Sequence, residues 1–152
     1  MTLTRQAEIA ANLDRVETQI AQACEAAGRA RDEVTLIAVT KTYPASDAEI
    51  LAELGVADVG ENRHPEAERK KSETRADLRW HFLGGLQTNK AAAVAKYADM
   101  VHSVDRPKLV RALNQGAESA GRMLDCLVQV DFDTTDPGRA GVEPDKALEL
   151  AD

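Results

Sequence analysis

Lys41 stands where a hydrophobic run, Val34-Thr35-Leu36-Ile37-Ala38-Val39-Thr40, stops and the chain turns through Thr42-Tyr43-Pro44. A lysine at the end of a buried strand suits covalent chemistry. Burial disfavours the ammonium form, and the neutral amine it leaves can attack an aldehyde or ketone to give a Schiff base. The competing reading is a lysine that starts a solvated loop, the commoner setting for this residue type. Residue type alone does not decide between them.

Other candidate chemistries fare worse. Gly84-Gly85-Leu86-Gln87-Thr88-Asn89-Lys90 has the glycines of a phosphate loop. It lacks the Walker order of glycine, lysine and serine or threonine, and it lacks GxGxxG spacing, so a strand-to-helix turn capped by Thr88 is expected. Asp131-Phe132-Asp133-Thr134-Thr135-Asp136 fails as a calcium loop, because the third acid comes one position late and Val142 stands where a bidentate glutamate is needed. A solvated loop is the reading there. His64, His81 and His102 have no partner at metal-binding spacing. His81, between Trp80 and Phe82, reads as a buried histidine with one hydrogen-bond partner. No GxSxG elbow is present and neither cysteine sits in a nucleophile context, so hydrolase chemistry has little support.

The elements that must position Lys41 follow from periodicity. Ile9, Leu13, Val16, Ile20 and Cys24 recur at helical spacing and predict an amphipathic helix ending near Gly28. The strand from Val34 to Thr40 comes next, and Ser46 with Glu49 predicts a capping box at the start of a helix that Gly55 ends. Further strands are expected at 57–59, 78–83, 100–103 and 124–130, with helices at 65–73, 88–97, 106–120 and from about Glu143. Alternation of strands and helices implies parallel strands joined by crossovers. A doubly wound sheet and a (β/α) barrel both place ligands just past strand ends, where Lys41, Glu61-Asn62, Gly84-Gly85 and Ser103 are expected to lie.

The 152 residues suit one domain with a core. A formal net charge of -7 and a pI near 5.0 exclude nucleic acid and anionic membrane as main partners, since both need a basic surface. No apolar run reaches the roughly 20 residues of a membrane span, and the first ten residues lack a signal segment, so a cytoplasmic location is expected. Cys24 and Cys126 read as reduced thiols packed like small hydrophobes.

Taken together, Ala38-Val39-Thr40-Lys41-Thr42-Tyr43-Pro44, Gly60-Glu61-Asn62, Trp80 through Lys90, and His102-Ser103-Val104-Asp105 resemble the pyridoxal-phosphate homeostasis proteins, relatives of the alanine racemase barrel. The likeness covers roughly residues 34–141 and is most specific from Trp80 to Asn89. It implies a partial (β/α) TIM-type barrel, about five of eight strand-helix units after an N-terminal helix, as a single incomplete domain over 1–152. It also implies pyridoxal 5'-phosphate as cofactor, held as an aldimine on Lys41, with Asn62 near it and His81 on a strand lining the pocket. The implied function is cofactor storage, shielding or delivery without turnover, with apo PLP-dependent enzymes as partners. A PLP-dependent amino-acid racemase is the alternative, and a purely structural module is a third reading. His64-Pro65, Asp131 and Arg139 depart from the family pattern, where a valine-glutamine pair, an asparagine and a lysine are usual. The phosphate-binding residues are implied to lie in later strand-helix units, so the chain is expected to be a fragment with exposed edges at its first and last strands.

Overall fold

The computed structural model describes residues 3–133 and 135–152. Five strands form one parallel sheet: β1 (Ile37–Val39), β2 (Asp58–Glu61), β3 (Arg79–Phe82), β4 (Met100–Val104) and β5 (Asp125–Val128). Their spatial order is the chain order, β1-β2-β3-β4-β5. A doubly wound sheet reverses direction at a switch point. Uninterrupted order is that of a barrel wall, which settles the choice the periodicity left open.

Among the described residues, six α-helices accompany the sheet: α1 (Arg5–Ala26), α2 (Ala45–Glu53), α3 (Glu66–Glu73), α4 (Ala91–Ala95), α5 (Pro107–Ala120) and α6 (Ala147–Ala151). Strand side chains alternate between two faces. Val59, Trp80, Phe82 and Val101 face the helices and are buried, with Phe82 and Val101 packed among Ala67, Val94, Leu109 and Leu113. Val59 and Trp80 form a second cluster with Ala48 and Leu78. In α5, Leu109, Leu113, Gly116 and Ala117 make the buried stripe. A side chain on Gly116 would meet the Ala92 Cα at 2.7 Å, so glycine sets how closely α5 approaches α4.

The other sheet face carries Ile37, Val39, Asp58, Gly60, Arg79, His81, Met100 and His102 in register. Among the described residues it has no helix layer. Val39 on the β1 edge is 50% exposed and Leu127 on β5 is 46% exposed.

Several local expectations are corrected. The first strand is shorter than 34–40, because β1 has a ladder partner only where β2 begins at Asp58. Ser46 and Glu49 form no capping box: α2 starts at Ala45 behind Pro44, and Glu49 instead accepts backbone N–H groups of Arg75 and Ala76. Thr88 is not a cap either, since Gln87 holds that position before a 3-10 turn. Cys24 is buried as expected, whereas Cys126 is exposed on the last strand.

Candidate functional site

Lys41 lies in an exposed turn, not in a buried strand end, so the burial invoked from the sequence is absent. The turn is closed by a Tyr43 N–H donating to the Thr40 carbonyl at 3.1 Å, and Thr42 has φ 69°. A β-branched residue in the left-handed region costs on the order of 1–3 kcal/mol and persists only where its surroundings fix it. Here the surroundings are charged and buried. Lys70, 1% exposed, donates from Nζ to the Thr40 carbonyl at 2.7 Å and to Glu61 Oε1 at 2.5 Å. Thr40 Oγ1 donates to the same Glu61 oxygen at 2.5 Å, and the Thr42 N–H donates to Glu66 Oε1 at 3.1 Å. Glu66 in turn lies 3.8 Å from Lys70 Nζ. Residues on both sides of Lys41 are thus held from α3 and β2, while the Lys41 amine enters none of the ion pairs or side-chain hydrogen bonds among the described residues.

The sequence reading missed this clamp. Lys70 follows Ala67 by three residues and precedes Thr74 by four, so helical spacing puts it on the inward face of α3. That spacing was the available signal. Glu61 and Ser103, expected past strand ends, lie within β2 and β4; Glu61 faces the helices, and Glu61 Oε2 and Ser103 Oγ are buried with no hydrogen-bond partner among the described residues.

Asn62 follows β2 and is half-buried. The Thr40 N–H donates to the Gly60 carbonyl at 2.9 Å, so the segments leaving β1 and β2 run side by side, Lys41 on one and Asn62 on the other. A Cβ at Gly84 would sit 2.1 Å from the Asn62 carbonyl oxygen. Gly84 therefore serves close backbone packing, not a phosphate cradle.

His81 is buried on the helix-free face and has two partners where one was expected. Its Nε2 is 2.7 Å from Asp58 Oδ1, and its Nδ1 is 2.8 Å from His102 Nε2. Sequence spacing separated these three groups, and the parallel register joins them. Burial, then His81, then Arg79 hold His102 below the ordinary histidine value. His64 lies apart, stacked on Tyr97 with ring centroids 5.8 Å apart. The two unusual residues of the last loop meet each other, Arg139 Nε lying 3.5 Å from Asp131 Oδ1.

Comparison with known proteins places these residues in context. The family model described as alanine racemase, N-terminal domain, matches residues 11–152. A protein of Mycobacterium leprae (strain TN) named pyridoxal phosphate homeostasis protein is 34% identical over 176 residues, covering 96% of this chain and 68% of that protein. The structure of PipY from Synechococcus elongatus PCC7942 with PLP bound superposes with a TM-score of 0.77 at 34% identity, over 94% of this chain and 62% of PipY. An alanine racemase of Clostridium difficile 630 shares the fold, with a TM-score of 0.66 at 17% identity over 90% of this chain and 36% of the racemase. The chain spans 60% of the length of the first curated relatives it matches.

Proposed function

The chain belongs to the pyridoxal phosphate homeostasis proteins of the alanine racemase N-terminal-domain family, and from that premise we propose that it binds pyridoxal 5'-phosphate and stores, shields or delivers it without turning over a substrate. The observation that carries this reading is the Lys41 turn. An exposed, unpaired primary amine is presented at the carboxyl edge of a parallel sheet, on backbone fixed by Lys70, Glu61 and Glu66. When bound, the cofactor supplies an aldehyde that condenses reversibly with an amine, and Lys41 is the amine placed to meet it.

The residues present fit that end of the molecule. Asn62 borders Lys41 on the neighbouring strand exit, and His81 contributes a polar, hydrogen-bonded wall on the helix-free face. The clamp keeps its charges on the helix side, so the Lys41 amine does not compete with Lys70 for a carboxylate. Gly84 offers no phosphate cradle, and no phosphate role is assigned to it.

The carrier reading is favoured over an isomerase by the engagement of Tyr43. Isomerisation needs acid and base groups on both faces of the bound ring. Tyr43, next to the turn, has the Arg5 guanidinium 5.2 Å from its ring centroid and is held by α1. Apo PLP-dependent enzymes are the recipients on this reading, and the cytoplasm is where they are made. No described helix is long and apolar enough to cross a membrane.

The test is direct. The protein is mixed with pyridoxal phosphate, reduced with borohydride and mapped by peptide mass spectrometry. A visible absorption band and a reduced adduct on Lys41, both lost in Lys41→Ala, are expected. An adduct distributed over surface lysines, or one unchanged in Lys41→Ala, overturns the proposal. Incubation of the loaded protein with each alanine enantiomer in deuterated water is expected to leave the α-proton in place, and steady exchange would establish the isomerase instead.

A further inference from the structure

The Asp58–His81–His102 chain is not explained by the Lys41 turn. It lies on the helix-free face and crosses three strands, from β2 through β3 to β4. Continuing the register Val39↔Gly60 by two steps, and Glu61↔Phe82 and Phe82↔Val101 by one step each, places Lys41, Asn62, Leu83 and His102 in one row at the carboxyl edge. Neighbouring strands are about 4.8 Å apart, so the row spans about 14 Å from Lys41 to His102 along the sheet. A lysine stem joined to a substituted pyridine ring covers that distance.

The proton inventory is fixed by the geometry. The Asp58 carboxylate accepts from His81 Nε2–H, which leaves His81 Nδ1 as an acceptor for His102 Nε2–H. His102 Nδ1 is then a bare lone pair, and no described residue pairs with it. One added proton converts that lone pair to an N–H donor, and the resulting positive charge is shared along a chain that ends on a buried carboxylate. The facing charged groups are Asp58 on β2, Arg79 and His81 on β3, Asp125 on β5 and Lys41 at the β1 exit; Arg79 and Asp125 are ion-paired with each other. The one cation close enough to oppose protonation, Arg79, is therefore already partly compensated.

We propose that Asp58, His81 and His102 form a one-proton relay whose outer nitrogen, His102 Nδ1, recognises an anionic oxygen of the ligand held at Lys41 and takes up one solvent proton as it binds. The inference rests on the cofactor reading above, and the ligand oxygen belongs either to the ring hydroxyl or to the phosphate. Without ligand the His102 imidazole is the neutral form, in keeping with its lowered position. With an anionic oxygen in contact, the protonated form gains a second counter-charge at the His102 end, opposite Asp58. Affinity is then linked to pH, falling up to tenfold per pH unit above the relay's own titration.

Imidazole nitrogen and carbon NMR of the intact protein at pH 7 tests this, with pyridoxal phosphate, pyridoxal and inorganic phosphate as separate probes. The His102 ring signals are expected to move to the protonated pattern with pyridoxal phosphate. A shift with pyridoxal alone assigns the contact to the ring oxygen, and a shift with phosphate alone assigns it to the phosphate. No shift with any probe, while borohydride still traps the cofactor on Lys41, overturns the relay and leaves the cofactor reading intact. Failure of trapping overturns the cofactor reading itself. His102→Gln, at a half-buried position, is expected to bind with a shallower pH slope than the parent, by up to tenfold in affinity per unit. Equal slopes refute the proposal, and the parent's NMR titration decides the matter if that variant does not fold.

Discussion

Lys70→Met is the perturbation that most directly tests the clamp behind Lys41. Methionine keeps most of the lysine volume and removes the ammonium. Glu61 Oε1 would retain only the Thr40 hydroxyl, and Oε2 already has no partner among the described residues. Both Lys70 and Glu61 are 1% exposed, so water cannot replace the lost charge. Breaking a buried pair from one side costs about 3–5 kcal/mol, because the remaining charge is stranded. The 3.8 Å pair with Glu66 adds little, since that carboxylate is partly exposed. With a urea slope of about 2 kcal/mol per M, the midpoint is expected to fall by about 2 M. Adding Glu61→Gln to the same protein removes the stranded charge and keeps an acceptor for Thr40, so at least half of the loss is expected to return. The attachment rate at Lys41 is expected to fall in Lys70→Met, because Thr40 loses the donor that fixes its carbonyl. A single-mutant loss below about 1 kcal/mol, or a double mutant no more stable than the single, refutes the clamp, given that buried pairs broken on one side cost several times that.

Gly84→Ala is expected to destabilise by about 3 kcal/mol, since the new Cβ meets backbone that cannot rotate away. Gly85→Ala, with nothing within 4 Å of the new Cβ, is expected to stay within about 0.5 kcal/mol, and paired thermal melts check both. Burial, then Glu68 and Glu61, push the Tyr97 phenol above its ordinary value. A raised folded-state value means stability present at neutral pH and lost as pH rises past the unfolded tyrosine value of about 10. Ultraviolet titration is expected to show Tyr97 ionising above the ordinary phenol value, and Tyr97→Phe is expected to flatten the alkaline loss of stability.

The fold class was legible because it depends on period and order. Strand runs such as Leu78–Leu83 and helix stripes such as Leu109, Leu113 and Ala117 declare themselves through spacing, and their alternation dictates parallel pairing. Boundaries were less legible. The extent of β1 is set by where β2 offers a partner, and the start of α2 by Pro44 ahead of the apparent Ser46 cap. Strand alternation sent Glu61 to the helix side while His81 and His102 stayed with the open face, a distinction that requires knowing the exact strand phase.

The sequence by itself determined that Lys41 is the residue to test, because its neighbours in the chain carry the family likeness and strand-end placement follows from local pattern. Only the tertiary structure decided how that lysine is held. Lys70 reaches Thr40 across 30 residues and His81 reaches Asp58 across 23. Such contacts depend on sheet register and on which face of α3 turns inward. They made Lys41 an exposed amine on a fixed turn, with the buried lysine beneath it at position 70, because burying that second ammonium against Glu61 constrains the backbone while leaving the first free to react.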